Sequence, residues 1–148
     1  MSENVKIVAT NRKAGFEFFL FERFEAGLSL KGSEIKSIRA GQISLAESYI
    51  RVEENQAWLI EAHIAPFLQA NRFNHDPKRP RRLLLHCKEI REMWDAIRQK
   101  GFTVIPLRVY LKNGRAKVEI AIARGKKLHD KREAIAQRDA ERDKESNY

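Results

Sequence analysis

The stretch TVIPLRVYLKNGRAKVEIAIAR, residues 103–124, contains the strongest indication of a fold in this sequence. At its centre is Asn113-Gly114, a dipeptide that tight β-hairpin turns favour because both of its positions take a positive φ. Apolar residues alternate with other residues on either side of this dipeptide, as in strands that bury one face. Residues 103–112 and 115–124 are therefore predicted to form a β-hairpin.

The alternation in the two arms predicts which side chains face the core. Arg115, Lys117 and Glu119 fall on the solvent side of the second arm. Pro106 predicts a sheet edge or a bulge in the first arm, because proline donates no ladder hydrogen bond. The predicted core residues are Ile105, Leu107, Val109 and Leu111 in the first arm, and Ala116, Val118, Ile120 and Ile122 in the second.

Residues upstream of the hairpin alternate between strand and helix patterns. Residues 16–21 are rich in aromatic residues and are predicted as a strand, and residues 49–53 and 57–61 are predicted as a second hairpin. Residues 22–26, followed by Gly27, are predicted as a single helical turn that the glycine ends. Residues 69–82 are polar and proline-containing, and they predict a basic loop.

Two longer helices are predicted. Residues 33–39 would form a short helix with Ser33 as its cap and Gly41 after its end. Residues 87–99 carry an apolar stripe at helical spacing, formed by Ile90, Met93, Trp94 and Ile97. Short strands, glycine corners and two or three helices fit a small closed barrel better than an open sheet. The predicted fold class is mainly β, an OB-type closed barrel with two or three flanking helices.

The composition points to a polyanionic partner. The chain has 148 residues, of which 43% are hydrophobic, and its 29 Lys and Arg against 20 Asp and Glu give a net charge of +9. Such an excess is typical of proteins that bind nucleic acid or an anionic membrane surface. No apolar run approaches the roughly 18–20 residues that span a bilayer. A single cysteine, Cys87, excludes an intrachain disulfide and a zinc site built on paired cysteines. A cytosolic protein that meets RNA or DNA, with no cofactor or metal, is predicted.

The last residues form a cationic tail. The barrel is assigned to residues 1–124 and the tail to residues 125–148. Asp130 and Glu133 are spaced as in a capping box, and Ile135 is the only large apolar residue of the helix that would follow. Because this helix has no apolar stripe to pack, the tail is predicted to be flexible alone and helical when bound. The alternative is a solvated charged end without a role.

Several segments together resemble one family, SmpB, the SsrA-binding proteins. The matching segments are NRKA at 11–14, EAGLSLKGSEIKSIRAG at 25–41, NHDPKRPRRLLLHCKEI at 74–90, GFTVIPLRVYLKNGRAKVEIAIARGKK at 101–127 and HDKRE at 129–133. The resemblance implies an OB-type barrel that binds the tRNA-like domain of transfer-messenger RNA (tmRNA) in the bacterial cytoplasm. It also implies a tail that enters the empty decoding centre and mRNA channel of stalled ribosomes, and delivery of alanyl-tmRNA with elongation factor Tu. No membrane and no covalent chemistry are implied.

The resemblance also implies RNA contacts at particular positions. Glu25 would accept from a base or a 2′-hydroxyl, with a structural role as the alternative. Asn11 would bind a base or ribose edge, or act as an ordinary loop residue. Leu84 is interpreted as a packing residue, because leucine is a poor surface for base stacking. The implied tmRNA contacts are Asn11, Arg12, Lys13, Glu25, Lys36, Arg39, Leu84 and Lys117.

In the tail, the resemblance implies ribosomal contacts and a hinge. Gly125 would permit the turn out of the last strand. His129 would stack on a nucleobase, although a lone histidine among lysines is otherwise most often part of a charged surface. The implied tail residues are Gly125, Lys126, Lys127, His129, Asp130, Lys131 and Arg132.

Two alternative functions remain open. His75-Asp76 could belong to an RNA-cleaving site with the imidazole as general base. Asp76 before Pro77 is, however, a common turn, and the sequence shows no paired carboxylates, phosphate-binding loop or nucleophile elbow, so the chain is predicted not to be an enzyme. A generic single-strand binder would need exposed aromatic residues, whereas most aromatics here fall in apolar patterns.

Overall fold

The computed structural model describes residues 4–68, 74–127 and 138. These residues form a mainly β fold with three helices. The strands are β1 Val5–Thr10, β2 Phe18–Leu28, β3 Ile43–Ser44, β4 Tyr49–Val52, β5 Ala57–Ile60, β6 His63–Ile64, β7 Arg81–Leu84, β8 Thr103–Lys112 and β9 Arg115–Gly125. The helices are α1 Ala14–Glu17, α2 Gly32–Arg39 and α3 Cys87–Lys100.

The main sheet is antiparallel and its pairings form a ring. Its strand order is β1-β8-β4-β5-β7-β2-β9, and β9 pairs with β8 as well. Each strand from β8 around to β9 therefore has a partner on both sides, and β1 is added to the ring along β8. β3 and β6 pair separately. The main apolar core gathers side chains from this ring and from α2 and α3.

The hairpin of β8 and β9 is confirmed. The two strands pair from Thr103–Ala123 to Lys112–Arg115. Asn113 and Gly114 at the turn have φ of 52° and 81°, as the dipeptide predicted. The hairpin of residues 49–53 and 57–61 is also confirmed, as β4 and β5.

A bulge in β8 moves the buried face of the strand. The register shifts between Pro106 and Arg108, which confirms the bulge predicted at the proline. The prediction that Ile105, Leu107, Val109 and Leu111 share a face is wrong. Ile105 and Leu107 pack in a second small cluster with alanines of β9, whereas Val109 lies in the main core. In β9 the alternation is not interrupted, and the four predicted core residues all lie in the main core.

β2 replaces two predicted elements. Residues 22–26 are part of this strand rather than a helical turn, because β9 pairs along one side of them and β7 joins the other side at Gly27. These long-range pairings override the local glycine pattern. The predicted strand at residues 16–21 begins only at Phe18, because Ala14–Glu17 forms α1.

The two longer helices are confirmed, with one error at a cap. α3 ends at Gly101, which adopts the left-handed conformation with φ of 66°. α2 begins after Lys31, whose backbone N–H donates to the Glu34 carboxylate at 2.8 Å. Ser33 is therefore not the cap. It is buried instead, and its hydroxyl lies 2.8 Å from Nδ1 of His75.

A buried ion-pair network joins α2 to β7. The side chains of Glu34 and Arg81 are both 0% exposed, and Nε of Arg81 donates to Oε2 of Glu34 at 2.6 Å. Arg79 donates to the other carboxylate oxygen. Burial alone would raise the pKa of Glu34, but the hydrogen bonds from Arg79, the Lys31 backbone and Arg81 hold that pKa below its usual value. The basic loop was predicted to run to residue 82, but β7 already begins at Arg81, whose side chain forms the buried ion pair.

Candidate RNA-binding surface

Three of the predicted RNA contacts meet on adjacent strands. Gly27 of β2 pairs with Leu84 of β7 on one side and with Lys117 of β9 on the other. Directly paired residues of antiparallel strands face the same side, and Glu25, two positions before Gly27, shares that side. Glu25, Gly27, Leu84 and Lys117 all line one groove of about 480 Å³, which is called the β2 groove below.

Because Gly27 has no side chain, the side chains of Leu84 and Lys117 on the neighbouring strands can approach each other across it. A Cβ atom at Gly27 would lie 3.3 Å from Cβ of Leu84 and 3.6 Å from Nζ of Lys117. The first distance is shorter than ordinary carbon–carbon contact, so a side chain here would press on Leu84. A glycine inside a strand often marks such a close approach. Gly27 thus serves the groove rather than ending a helical turn.

Glu25 is held as a carboxylate at the edge of the groove. The hydroxyl of Tyr110 donates to Glu25 Oε2, and Nζ of Lys112 lies 3.4 Å from Oε1. The bond from Tyr110 lowers the pKa of Glu25, partial burial opposes this effect, and the charges of Lys112 and Lys117 lower the pKa further. Burial and the same bond raise the pKa of Tyr110, which therefore keeps its proton. The Glu25 side chain stays 40% exposed and can accept further hydrogen bonds.

Leu84 is a surface residue, and its interpretation as a packing residue is wrong. Leu84 is 55% exposed, whereas its neighbour Leu83 is 2% exposed and lies in the main core. The groove therefore presents an apolar side chain together with a carboxylate and an ammonium group. Lys117 lies on the side that the alternation predicts, and it is half-buried there.

Asn11, Arg12 and Lys13 lie elsewhere. Nδ2 of Asn11 donates to the carbonyl of Pro106 at 3.0 Å, and its backbone N–H donates to the carbonyl of Leu107. The asparagine thereby ties the chain after β1 to the bulge in β8. All three residues line a larger groove of about 1060 Å³, which shares no lining residue with the β2 groove.

Lys36 and Arg39 are exposed on α2, so this helix presents two cations. Nζ of Lys36 lies 5.6 Å from the centroid of the Phe67 ring, at cation–π distance. Arg39 reaches the carbonyl of Gly114 in the β8–β9 turn at 3.4 Å. Neither residue lines the β2 groove.

The beginning of the tail stays attached to the sheet. Gly125 is the last residue of β9 and pairs with Phe18, so the chain does not turn away at this glycine. The backbone N–H of Lys126 donates to the carbonyl of Glu17 at 2.8 Å. Lys127 is exposed. The other predicted tail residues, His129, Asp130, Lys131 and Arg132, and the helix predicted from Asp130 lie outside the described residues.

His75 occupies a structural position. The ring is 5% exposed, with Nε2 at 2.9 Å from the carbonyl of Ile64 and Nδ1 at 2.8 Å from the Ser33 hydroxyl. Both ring nitrogens are thus engaged within the fold, which argues against a general base. Oδ1 of Asp76 accepts from the Lys78 backbone at 2.9 Å, as in the predicted turn.

Over residues 4–68 and 74–127, no cluster of three or more His, Cys, Asp or Glu side chains is arranged to hold a metal ion. None of the described helices combines the length and the apolar composition needed to cross a membrane.

The predicted site residues did not include Gly27, which lies between Leu84 and Lys117, or Tyr110 and Lys112, which contact Glu25. A two-residue hairpin turn fixes the register, so Asn113-Gly114 already places Tyr110 opposite Lys117. The sequence therefore indicated that Tyr110 lies next to the predicted contact Lys117. It contained no indication of the contact between Tyr110 and Glu25, which lie 85 positions apart.

Comparisons with known proteins identify the family. The family model described as SmpB protein matches residues 8–148. An SsrA-binding protein of Desulforudis audaxviator is 55% identical over 141 residues, covering 95% of this chain and 92% of that protein. One from Carboxydothermus hydrogenoformans is 50% identical, with 93% of each chain covered. A solved structure described as "tmRNA-SmpB: a journey to the center of the bacterial ribosome" matches with a TM-score of 0.68 and 41% identity, covering 85% of this chain and 92% of that one. The chain belongs to the SmpB family.

Proposed function

We propose that this protein binds the tRNA-like domain of tmRNA and delivers it to stalled bacterial ribosomes in trans-translation. The proposal rests on the family and on one structural observation, the meeting of Glu25, Leu84 and Lys117 in the β2 groove. These side chains come from three strands that are far apart in sequence, and they offer three different kinds of contact.

Each contact suits RNA in its own way. The Lys117 ammonium group would neutralise a backbone phosphate. The Glu25 carboxylate repels phosphate, so its partner would be a base N–H or a ribose 2′-hydroxyl. Leu84 would cover the apolar face of a ribose or base. A groove that pairs a cation with a carboxylate selects for a folded RNA that presents both a phosphate and a donor, rather than for any polyanion.

The other predicted contacts would extend this surface. Arg12 and Lys13, exposed beside Asn11, and Lys36 and Arg39 on α2 would add phosphate contacts. The fold that carries them would be an OB-type closed barrel, which the ring of strand pairings supports. Binding and positioning, without covalent chemistry, would be the whole activity, and incubation with tmRNA should leave the RNA uncleaved.

The tail would read the state of the ribosome. Residues 125–148 would enter the empty decoding centre and mRNA channel, fold there as a helix and neutralise ribosomal phosphates through Lys127, Lys131 and Arg132. His129 would stack on a nucleobase and Asp130 would begin the helix. Elongation factor Tu would bring in alanyl-tmRNA bound to this protein. The protein would carry out both roles in the bacterial cytoplasm.

Deletion of residues 125–148 tests the proposal. The truncated protein should bind tmRNA within about twofold of the full chain, because the β2 groove lies outside the deleted segment, and should not support peptide tagging on an mRNA without a stop codon. Lys117→Glu in the full chain is the matched variant with the opposite expectation: it should weaken tmRNA binding itself, whereas the truncation should affect only tagging. A truncated protein that loses tmRNA affinity, or that still tags, would contradict the proposal.

A generic single-strand binder is the second candidate, and one observation favours it. Phe21 is 44% exposed and its ring is stacked on Phe102, with centroids 4.9 Å apart. Exposed aromatic rings are the stacking surfaces of such proteins. Competition at physiological salt separates the two candidates: tmRNA should displace polyuridine of equal length, and equal affinity would support the generic binder.

A further inference from the structure

We infer that Phe19 anchors the root of the tail, residues 124–127, and thereby sets the direction in which the tail leaves the sheet. This inference rests on the proposed role of the tail on the ribosome. The guanidinium carbon of Arg124 lies 5.0 Å from the centroid of the Phe19 ring, and Nζ of Lys126 lies 5.1 Å from it. One aromatic ring therefore attracts two cations of the tail root.

The strand register explains why both cations reach the same ring. Phe19 of β2 and Arg124 of β9 are direct partners in the sheet. Residues two positions apart on an extended chain point to the same side, so Lys126 follows Arg124 onto the face of Phe19. The bond from the Lys126 backbone to the carbonyl of Glu17 continues this pairing one residue beyond the end of β9.

The side chain of Lys126 is also bound within the molecule. Its Nζ donates to the carbonyl of Gly15 in α1 at 3.0 Å, in addition to its contact with Phe19. The ammonium group is thus held between a carbonyl and a ring, and we assign it an anchoring role in addition to any contact with phosphate.

A tail residue farther along the chain reaches the same corner. The guanidinium carbon of Arg138 lies 5.9 Å from the centroid of the Phe16 ring, and Phe16 belongs to α1. The corner formed by α1 and Phe19 therefore receives cations from two separate places in the tail. This makes it a surface for the tail rather than a single chance contact.

The anchor has a physical consequence for recognition. A tail that begins at a free hinge samples many directions, and ordering it on the ribosome costs conformational entropy. A tail whose first residues are fixed to the sheet has fewer directions to lose and a higher effective concentration near its site. Phe19 would thus be a positioning residue that contacts no RNA itself.

Substitution of Phe19 tests this role directly. Phe19→Leu keeps an apolar side chain of similar size but removes the ring, and Phe19→Tyr keeps the ring as the conservative control. We expect Phe19→Leu to lower peptide tagging in a reconstituted reaction about fivefold, because two modest cation–π contacts are lost together. tmRNA affinity should stay at the wild-type value, the melting temperature should fall by only a few degrees because the lost contacts are modest, and Phe19→Tyr should tag normally.

A double-mutant cycle separates the anchor from phosphate binding. Lys126→Met loses the contacts with Phe19 and Gly15 and also any contact with phosphate. If Lys126 acts through Phe19, adding Phe19→Leu to Lys126→Met should lower tagging by less than Phe19→Leu does alone. Fully additive effects would mean that Lys126 acts independently of Phe19 and would contradict the anchor.

The outcomes also distinguish this inference from the proposed function. If Phe19→Leu tags like wild type while deletion of residues 125–148 abolishes tagging, the anchor is wrong and the function stands. If the deletion itself leaves tagging intact, the proposed function of the tail is wrong. If Phe19→Leu weakens tmRNA binding as much as tagging, Phe19 acts within the RNA-binding sheet, and the anchor is again wrong.

Discussion

Glu34 and Glu25 have similar chemistry in two very different places. Each carboxylate is bound by cationic side chains, and each has a lowered pKa. Glu34 is 0% exposed, and Arg79, Arg81 and the Lys31 backbone N–H all bind its two oxygens. The side chain of Glu25 is 40% exposed and lines a groove. A carboxylate with cationic partners therefore joins two elements of the fold where it is buried, as at Glu34, and remains available to a further partner where it is exposed, as at Glu25.

The largest effect is expected from breaking the buried pair. Arg81→Met would leave the Glu34 carboxylate buried without its fully buried partner, and removal of one member of a buried pair costs about 3–5 kcal/mol. Urea unfolding followed by circular dichroism measures this loss in the free energy of unfolding. Lys112→Met, which removes a cation beside the exposed Glu25, is the matched control and should cost less than about 1 kcal/mol. Equal losses in the two variants would remove the distinction between the two sites.

Substitution in the β2 groove, where Glu25 is exposed, is expected to change RNA affinity without changing stability. Lys117→Met should weaken tmRNA binding about tenfold at physiological salt and should reduce the slope of log affinity against log salt by about one phosphate contact. Filter binding over a series of salt concentrations measures both quantities. Lys6→Met on β1, which removes one exposed positive charge outside the β2 groove, is the control. If both variants lose affinity equally, net charge rather than the groove governs binding.

The pH dependence of stability should distinguish the two carboxylates next. Both have folded pKa values below the unfolded value of 4.5, so their ionised forms stabilise the fold above pH 4.5. This contribution is lost as the pH falls through the lower folded values. In the wild type the free energy of unfolding should therefore decrease as the pH falls below 4.5. This decrease should become shallower in Glu34→Gln and should change less in Glu25→Gln. A steeper effect of Glu25→Gln would mean that the exposed carboxylate carries the stability.

The smallest effect on stability is expected at Leu84. Because Leu84 is 55% exposed, Leu84→Ala should change the unfolding free energy by less than about 0.5 kcal/mol. Its buried neighbour gives the control, since Leu83→Ala should cost about 2–5 kcal/mol. Thermal unfolding and tmRNA affinity measured on both variants decide the role. Loss of affinity in Leu84→Ala with unchanged stability would establish a contact with RNA, and a large loss of stability would contradict the minor structural role that its exposure implies.

Local patterns in the sequence predicted the local elements well. The Asn113-Gly114 turn and the stripe of α3 need only neighbouring residues, and both elements formed where expected. Three consecutive leucines at positions 83–85 have no alternation, so the sequence alone could not tell that Leu84 faces outward. The sequence predicted the bulge at Pro106. Which face of the strand Leu107 occupies after the bulge could be known only from the register between β8 and β9.

What the sequence could not provide is pairing over long distances. Residues 22–26 have a local pattern that favours a turn, and only β7 and β9 make them a strand. The side chains that bind Glu34 and Glu25 are likewise 45 to 87 positions away, so neither side-chain network could be foreseen. The positions of the predicted site residues came from the family resemblance. The common location of Glu25, Leu84 and Lys117 on one face came from the pairing of β2 with β7 and β9.

The row that joins Leu84, Gly27 and Lys117 also has a consequence for synthesis. β2 is made early, and β9, which supplies Lys117 and closes the ring of pairings, is made last among the described strands. During vectorial translation the β2 groove cannot exist until β9 has left the exit tunnel. An unfinished copy, of the kind that a stalled ribosome holds, therefore lacks the surface that we propose for RNA binding.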